Sequence, residues 1–366
     1  MTQAPTLTDG TVTIRAHRES DAQGSYEQCQ DPLSQQWTTV PIPYSMDDAR
    51  SFVGEFMPKG WADDSEWGFA VEAEGRYAGT ISLRNEGNDR AEIAFGSHPW
   101  VRGTGAMERA LRLLLEWGFA EQGLQTVIWR ANVGNWASRK LAHRVGFSFD
   151  GTVRRWLPHR GELIDAWVGT LLDDEPREPR SEWLIVPVLE ADGLRLRPWR
   201  EADVPRIVGA CSDAESQHWL GQLPAPYDEG SARQWLSDSA ERLARADAMN
   251  WAVVDPSDDD AVLASVGWFN RTPGVECEVG YWTHPDARGR GVATRAMAVV
   301  VRHAVEELGV QRVTAFAAVD NVASRRVIEA NGFTRYGVER LGAWVRDARA
   351  DMALYDVLAA EVRSAR

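Results

Sequence analysis

The chain has 366 residues, of which 44% are hydrophobic and 26% charged, and its formal net charge is −14. This length accommodates two domains with separate cores, and this composition is typical of globular proteins. The acidic excess disfavours nucleic-acid binding, which depends on neutralising phosphates; it is compatible with simple solubility and with attraction of a cationic acceptor such as an amine.

Metal, disulfide and membrane functions are also disfavoured. The three cysteines have no C-x-x-C spacing, and the seven histidines form no H-x-x-x-H pair. No apolar run approaches the roughly 18 residues that a membrane-spanning helix needs. The first residues lack the basic and apolar segments of a leader peptide. We therefore expect no metal, no nucleic-acid or membrane partner, and a cytoplasmic location.

The first half of the chain mixes helical and strand patterns. Polar turns rich in Gly, Asn and Asp separate the strand-like runs. In chain order the predicted elements are a strand at Val12–Ala16, helices at Glu19–Cys29 and Met46–Met57, and strands at Trp67–Glu72, Tyr77–Leu83 and Ala91–Ser97. A Gly-rich turn then precedes another helix.

The second half repeats the first. Ala91–Pro99 is answered by Cys277–Pro285 at an interval of 186 residues, and the same interval relates the Gly-rich turns 102–105 and 288–291. It also relates Asn135 to Asn321, Ser138 to Ser324, Gly146-Phe147 to Gly332-Phe333, and Asp165 to Asp351. Near the start of each copy the interval is 182, as between Arg15 and Arg197. A repeat of this length indicates duplicated domains rather than a solenoid.

The second copy ends with a helical stripe from Met297 to Leu308, a strand at Val313–Ala318, a helix at Asn321–Asn331 and two closing strands. These patterns predict two α/β domains, each with a mixed, mostly antiparallel sheet flanked by helices.

A charged, proline-broken segment from Asp173 to Ser181 indicates a linker. We predict a first domain at residues 1–175, a linker at 176–190 and a second domain at 191–366. The apolar run Trp183–Leu189 is expected to pair as a strand with either domain.

The Gly-rich turn of the second copy, Arg288-Gly289-Arg290-Gly291-Val292-Ala293, lies between a predicted strand and a predicted helix. Glycines let the backbone curl around a ligand, and a helix N-terminus favours negative charge. Such a turn suits a pyrophosphate, although a tight strand-to-helix connection explains it equally well. Neither the G-x-x-x-x-G-K-S/T nor the G-x-G-x-x-G signature is present.

Together these motifs resemble the GNAT acetyltransferase superfamily. Arg288-x-x-Gly291-x-Ala293 matches its coenzyme A signature, Arg/Gln-x-x-Gly-x-Gly/Ala. The similarity to the RimJ/RimL-like branch, which acetylates the N-termini of ribosomal proteins, rests on Leu194–Asp203, Cys277–Trp282, Asn321-x-x-Ser324 and Gly332-Phe333. The resemblance covers nearly the whole chain, once per copy.

The resemblance implies acetyl-CoA as acyl donor, with its pyrophosphate on the backbone of Arg288–Ala293 and its pantetheine along Glu278–Trp282. The coenzyme-binding residues implied in the second copy are Tyr281, Trp282, Thr283, Arg288, Gly289, Arg290, Gly291, Val292, Ala293 and Asn321. Those in the first copy are Arg102, Gly103, Thr104, Gly105 and Asn135. Backbone N–H groups near Tyr281–Thr283 are expected to stabilise the developing oxyanion.

An amine with a pKa of about 8–10 must lose a proton before it attacks a thioester. A carboxylate beside the thioester can accept that proton, directly or through a water molecule. Glu278 lies on the strand where related histone-type acetyltransferases carry their general base, and Glu92 is its counterpart in the first copy. A solvated or cross-strand-paired carboxylate is the alternative interpretation.

The leaving thiolate needs a proton or a hydrogen bond. Many family members supply a tyrosine seven residues after the asparagine, but Ile328 and Ala142 stand there in this chain. The resemblance to the RimJ/RimL-like branch implies Ser324 and Ser138 instead, as hydrogen-bond donors. Asn321 also has a structural explanation as a helix N-cap, with Ser324 in the first turn.

The two Gly-rich turns differ at Met107, where the second copy has Ala293. We expect the longer side chain to crowd the pyrophosphate or to tilt the helix, leaving the second domain competent and the first a weak binder or a scaffold.

The predicted activity is N-acetyl transfer from acetyl-CoA to a primary amine, on a protein N-terminus or a small molecule, mainly in the C-terminal domain. One alternative is a non-catalytic acyl-CoA-binding or assembly protein. Another is an acyltransferase that uses a longer acyl-CoA or an aminoacyl donor. The oligomeric state is left open.

Overall fold

The computed structural model of the protein describes residues 4–364, apart from the side chains of residues 191, 259 and 260. The chain divides into two compact units, the first ending at Arg180 and the second beginning at Ser181. This division falls inside the predicted linker. Each unit has its own sheet and its own hydrophobic core.

The first unit contains eight strands and six α-helices among its described residues. The strands are β1 Leu7–Thr8, β2 Val12–Arg15, β3 Glu66–Ala73, β4 Arg76–Gly87, β5 Arg90–Ser97, β6 Thr126–Asn132, β7 Gly151–His159 and β8 Glu162–Leu172. The helices are α1 Ala22–Gln30, α2 Pro32–Trp37, α3 Met46–Ser51, α4 Met57–Ala62, α5 Ala106–Ala120 and α6 Trp136–Arg144.

The second unit repeats this order. Its strands are β9 Leu189–Ala191, β10 Leu194–Arg197, β11 Met249–Asp255, β12 Asp258–Thr272, β13 Glu276–Thr283, β14 Arg312–Ala318, β15 Thr334–Val345 and β16 Ala348–Leu358. Its helices are α7 Val204–Ser212, α8 Ala214–Trp219, α9 Glu229–Ala244, α10 Val292–Glu306, α11 Val322–Ala330 and α12 Ala359–Ser364.

Both sheets have the same topology, and the predicted α/β fold class is confirmed. The strand orders are β1-β2-β3-β4-β5-β6-β8-β7 and β9-β10-β11-β12-β13-β14-β16-β15. Neighbouring strands are antiparallel except for β5 with β6 and β13 with β14, which are parallel. A parallel pair requires a crossover, and α5 and α10 provide it.

Helix α10 shows how the sequence positions the crossover. Its apolar residues recur at helical spacing and are buried against β12 and β13: Val292, Ala293, Ala296, Met297, Val300, Val301, Ala304 and Val305. The helix starts after Gly291 and is followed by Gly309, both with the left-handed φ that glycine tolerates best.

Two predicted elements differ from the structure. The helix predicted at Met46–Met57 is interrupted by a π-helical segment, Phe52–Phe56, between α3 and α4. The run Trp183–Leu189 is not a strand along its length: only Leu189 enters one, where β9 pairs with β10 of the second unit. Apolar composition alone does not distinguish a strand from an extended segment that packs on a core.

The repeated Arg and Asp residues at the start of each copy form buried ion pairs. Arg197 and Asp203 approach to 2.8 Å with both side chains 2% exposed, and Arg15 and Asp21 approach to 2.8 Å with side chains 6% and 4% exposed. Asp203 also accepts a hydrogen bond from the backbone N–H of Arg200 at 2.8 Å. Since a buried charge needs a partner, each residue of the pair requires the other.

We expect Asp203→Ala to lower the free energy of unfolding by about 3–5 kcal/mol, because it removes the carboxylate that is ion-paired with the buried Arg197 guanidinium. Urea unfolding followed by tryptophan fluorescence measures the change. Glu201→Gln is the matched control: it breaks an ion pair with Arg233 whose side chains are 67% and 51% exposed, and should cost about 1 kcal/mol or less. Equal losses in the two variants would contradict the expectation.

Candidate active site

The parallel pair at the centre of the second sheet opens into a cleft. Strands β13 and β14 are paired from Glu276 to Glu278, opposite Arg312 to Thr314, and in the described residues the pairing stops there. Both strands continue, and each remains paired on its other side, β13 with β12 and β14 with β16. The wedge between them begins at Glu278. Pairing of β5 with β6 likewise ends at Ile93.

The Gly-rich turn leads from β13 into α10. Gly289 and Gly291 have φ values of 72° and 69°, and a Cβ atom built on either would meet no atom within 4 Å. Gly291 is the N-cap of α10, which has no side-chain cap. The first N–H groups of the helix therefore lack intrahelical partners, an arrangement that accommodates an anion.

The Arg288 side chain, predicted to bind coenzyme, holds the turn to the start of α8. Its guanidinium donates to Glu215 at 2.8 Å, to Ser216 Oγ at 3.0 Å and to the carboxylate of Asp213. Arg102 contacts Asp31 in the same way in the first unit. These arginines anchor the Gly-rich turns. Because their side chains are engaged in this way, the backbone of each turn is the part that can contact a ligand.

The other residues predicted to bind coenzyme in the second unit differ in the exposure of their side chains. Val292 and Ala293 are 2% and 8% exposed, so the first turn of α10 offers its backbone rather than these side chains. Arg290 and the two glycines of the turn are exposed, and Thr283 is half-buried at the end of β13. The Trp282 ring packs on Trp199, with ring centres 5.9 Å apart.

Glu278 lies at the point where the wedge opens. One of its carboxylate oxygens accepts a hydrogen bond from the Asn270 side-chain amide at 3.0 Å. Burial raises the pKa of Glu278, and the Asn270 hydrogen bond and the charge of Arg242 only partly oppose this effect. A carboxylate with a raised pKa is a stronger base, which suits proton abstraction.

Its counterpart Glu92 has a different environment. Its carboxylate lies 3.3 Å from Arg130 and 3.8 Å from Arg84. By the 186-residue interval these arginines replace Phe316 and Asn270 of the second unit. The carboxylate of Glu92 is therefore ion-paired with two arginines, as in the alternative interpretation of a cross-strand-paired carboxylate.

Ser324 is hydrogen-bonded to Tyr281 across the wedge. Its Oγ lies 2.9 Å from the Tyr281 hydroxyl, and that hydroxyl also lies 3.1 Å from the Ser324 carbonyl oxygen. Burial raises the pKa of Tyr281 to about 12, so the phenol stays protonated at neutral pH.

In the first unit Ser138 has a different partner. Phe95 stands in the position of Tyr281, and Ser138 Oγ instead accepts a hydrogen bond from the Trp129 indole N–H at 3.0 Å. Both serine hydroxyls thus contact a polar group of the central sheet: an indole N–H that only donates in the first unit, and a hydroxyl that can donate or accept in the second.

The two asparagines predicted at the site act as helix caps. Asn321 Oδ1 accepts from the Ser324 backbone N–H at 3.0 Å, and Asn135 accepts from Ser138 at 3.1 Å. Ile328 and Ala142, where many relatives have tyrosine, are 1% and 2% exposed in the cores.

In the first unit the Thr104 side chain is hydrogen-bonded to the backbone at both ends of the Gly-rich turn. Its Oγ1 accepts from the Ala106 backbone N–H at 3.3 Å and donates to the Val101 carbonyl at 2.8 Å. Arg290, with no comparable hydroxyl, is the equivalent residue in the second unit. One N–H at the start of α5 therefore already has a partner.

The expectation that Met107 crowds the pyrophosphate is wrong for this structure. Met107 is 8% exposed and belongs to the hydrophobic core of the first unit, and its equivalent Ala293 is also 8% exposed. Both side chains point into the domain because they occupy the buried face of the crossover helix. The differences at Glu92 and Thr104 separate the two copies instead.

We expect Met107→Ala to lower the free energy of unfolding by about 2–5 kcal/mol through loss of core packing. Coenzyme binding by the first domain should not improve. Thermal unfolding and calorimetric titration with acetyl-CoA measure the two effects. New binding with unchanged stability would show that the methionine obstructs the turn.

Three residues of this site were missed by the sequence reasoning: Asn270, Arg84 and Arg130. Tyr281 was predicted to bind coenzyme, but the contact of its hydroxyl with Ser324 was not predicted. The signal was present, because the 186-residue interval aligns Arg84 with Asn270 and Phe95 with Tyr281. Which of these side chains touch depends on the register of β4 with β5 and β12 with β13.

Within residues 4–364 no helix is long and apolar enough to cross a membrane. Among the same residues no group of three His, Cys, Asp or Glu side chains is arranged to hold a metal ion.

Comparison with known proteins identifies the family. The family model for the acetyltransferase (GNAT) domain matches residues 11–148 and again 193–334. The putative ribosomal N-acetyltransferase YdaF of Bacillus subtilis is 37% identical over 86 residues, which cover 24% of this chain and 47% of YdaF. The chain thus spans about half the length of that relative.

Two further proteins cover more of their own length. The probable N-acetyltransferase YjcK of Bacillus subtilis is 26% identical over 158 residues, or 42% of this chain and 87% of YjcK. The structure of Mycobacterium smegmatis RimJ in complex with CoA-disulfide is 19% identical with a TM-score of 0.43, covering 49% of this chain and 93% of RimJ. Since the two matches to the family model span more than half of the sequence, the chain belongs to the GNAT acetyltransferase family, with one such domain in each half.

Proposed function

We propose that the second domain transfers an acetyl group from acetyl-CoA to a primary amine and that the first domain does not catalyse this reaction. The observation that carries the proposal is the contrast between Glu278 and Glu92. Glu278 has a raised pKa at the point where the wedge begins, whereas Glu92 is ion-paired with two arginines.

The residues of the second domain fit coenzyme A. Gly289 and Gly291 leave open space at the uncapped start of α10, where a pyrophosphate would meet backbone N–H groups. On the β14 side, the backbone of β13 beyond Glu278 is left unpaired in the described residues, so it can hydrogen-bond to the amides of pantetheine. Acetyl-CoA, when bound, supplies an activated acetyl thioester.

Glu278 and Tyr281 lie on opposite faces of β13, because side chains alternate along a strand. A thioester that passes through the wedge would therefore have the carboxylate on one side and the hydroxyl pair of Tyr281 and Ser324 on the other. Glu278 would accept the proton of the amine, directly or through a water molecule. Ser324 would donate a hydrogen bond to the sulfur on the opposite side.

The acceptor is proposed to be the amine of a protein N-terminus or of a small molecule. A protein N-terminus is supported by the name of YdaF, a putative ribosomal N-acetyltransferase. The net charge of −14 favours an acceptor that arrives as a cation.

For the first domain we propose a supporting function. Thr104 occupies one N–H at the start of α5, and two arginines neutralise Glu92. Coenzyme binding there should be weaker than in the second domain, or absent.

Calorimetric titration of the full chain with acetyl-CoA tests this division. We expect one tight site per chain, and we expect Gly105→Val to leave it unchanged, since that glycine belongs to the first turn. Two equal sites, or loss of the tight site in Gly105→Val, would contradict the assignment to the second domain. Binding without turnover of any amine would favour a non-catalytic acyl-CoA-binding protein.

A further inference from the structure

The Tyr281 hydroxyl has one proton and two acceptors within reach. It lies 3.1 Å from the Ser324 carbonyl oxygen and 2.9 Å from Ser324 Oγ. If the proton goes to the carbonyl, the serine hydroxyl donates to Tyr281 and its own proton is occupied. If the proton goes to Oγ, the serine proton is free to point into the wedge.

We propose that Tyr281 is a positioning residue for acetyl transfer, which turns the Ser324 hydroxyl toward the leaving sulfur by donating its proton to Ser324 Oγ. This inference rests on the proposed function of the second domain.

The reaction balances as follows. The amine nitrogen forms a bond to the acetyl carbon, the carbon–sulfur bond breaks, and its electron pair stays on sulfur. The amine proton goes to Glu278. The thiolate accepts a hydrogen bond from Ser324 and is later protonated by water. Neither hydroxyl gives up its proton, since both are weaker acids than a thiol.

The position of the pair supports this arrangement. Tyr281 lies three residues beyond the last pairing of β13 with β14, and Ser324 lies in the first turn of α11, which follows β14. Their contact therefore spans the two walls of the wedge. Ser324 is held in place from the other side by Asn321, which accepts its backbone N–H at 3.0 Å.

In the first domain the equivalent serine hydroxyl is hydrogen-bonded to a different group. Ser138 Oγ accepts from the Trp129 indole, which has one donor and no acceptor. A polar group of the sheet thus lies against the serine oxygen in both copies, although the residue differs. In the first copy that group can only donate, which supports donation to Ser324 Oγ in the second copy.

The test is a double-mutant cycle of Tyr281→Phe and Ser324→Ala in the full chain. The substrates are acetyl-CoA and a pool of spermidine, kanamycin, glycine and short peptides with a free N-terminal serine or alanine. We expect Tyr281→Phe to lower kcat by about 10–100-fold, the usual effect of losing a hydrogen bond that acts on a charge, with KM for acetyl-CoA unchanged. In the Ser324→Ala background the same change should have no further effect.

Tyr336→Phe is the matched control, since Tyr336 is 49% exposed and lies against Arg312, at the paired end of β13 and β14. It should retain the wild-type kcat. Calorimetric binding of acetyl-CoA shows that each variant is folded at the site.

Wild-type kcat in Tyr281→Phe, or losses that multiply in the double variant, would overturn the inference. If Glu278→Gln still lowers kcat by about 10²–10⁴-fold in that case, the proposed function stands. If the wild-type protein releases no thiol with any amine of the pool, both the proposed function and this inference are contradicted.

Discussion

Gly291→Val should abolish acetyl-CoA binding by the second domain while the protein stays folded. The φ of 69° at this residue is left-handed, which costs a non-glycine residue about 1–2 kcal/mol and a β-branched one more. No neighbouring atom would clash with the new Cβ, so the cost falls on the local backbone. The N–H groups that open α10 would then turn away from the phosphates. Calorimetric titration measures the loss.

Gly309→Val is the control for backbone strain alone. Gly309 has a φ of 68° with no atom near its Cβ, and it follows the other end of the 15-residue helix α10, about 22 Å away at ~1.5 Å per residue. It should lose comparable stability and keep its affinity for acetyl-CoA. Unchanged affinity in Gly291→Val would remove the assignment of this turn to the coenzyme.

Glu278→Gln should lower kcat by about 10²–10⁴-fold, the usual contribution of a general base. Only the deprotonated carboxylate accepts the amine proton, so activity should rise with pH through the pKa of Glu278. Because burial raises that pKa, this acidic limb should lie above the range of an ordinary glutamate, and it should disappear in the variant. Steady-state rates from pH 4 to 9 (roughly the range over which carboxylates and amines titrate) measure both effects.

Glu92→Gln is the matched control in the first domain and should retain wild-type turnover. The two variants, Glu278→Gln and Glu92→Gln, should also differ in stability. A raised carboxyl pKa adds stability below the unfolded-state pKa that is lost as pH rises through the folded-state pKa, so at pH 7 Glu278→Gln should be at least as stable as the wild type. Glu92→Gln weakens contacts with two arginines and should lose about 1 kcal/mol. A loss confined to KM in Glu278→Gln would make it a binding residue.

Much of the fold was predictable because the repeat doubles every signal. The Gly-rich turn, the apolar stripe of α10 and the helix cap at Asn321 each occur twice at one interval. A pattern that arose by chance in one copy would be absent from the other, so the repeat distinguishes real signals from chance. The interruption at Phe52–Phe56 was not predictable, because its sequence keeps helical apolar spacing and the irregularity arises in packing.

The candidate site was only half predictable. Glu278 and Ser324 follow from strand position and motif, but their environments depend on cross-strand contacts that sequence spacing does not give. The Met107 expectation failed for the same reason: a residue at the start of a helix can face the ligand or the core, and only the direction of the helix decides. Arg84 and Arg130 were not predicted at the site, because only the sheet register brings both against Glu92.

Amine-dependent release of thiol from acetyl-CoA, with the acetylated product identified by mass spectrometry, tests most directly whether the second domain is an acetyltransferase. The same amine pool serves the wild type, Gly291→Val and Gly105→Val. We expect release by the wild type and by Gly105→Val, and none by Gly291→Val. Release that is lost in Gly105→Val and kept in Gly291→Val would contradict this assignment and place the chemistry in the first domain.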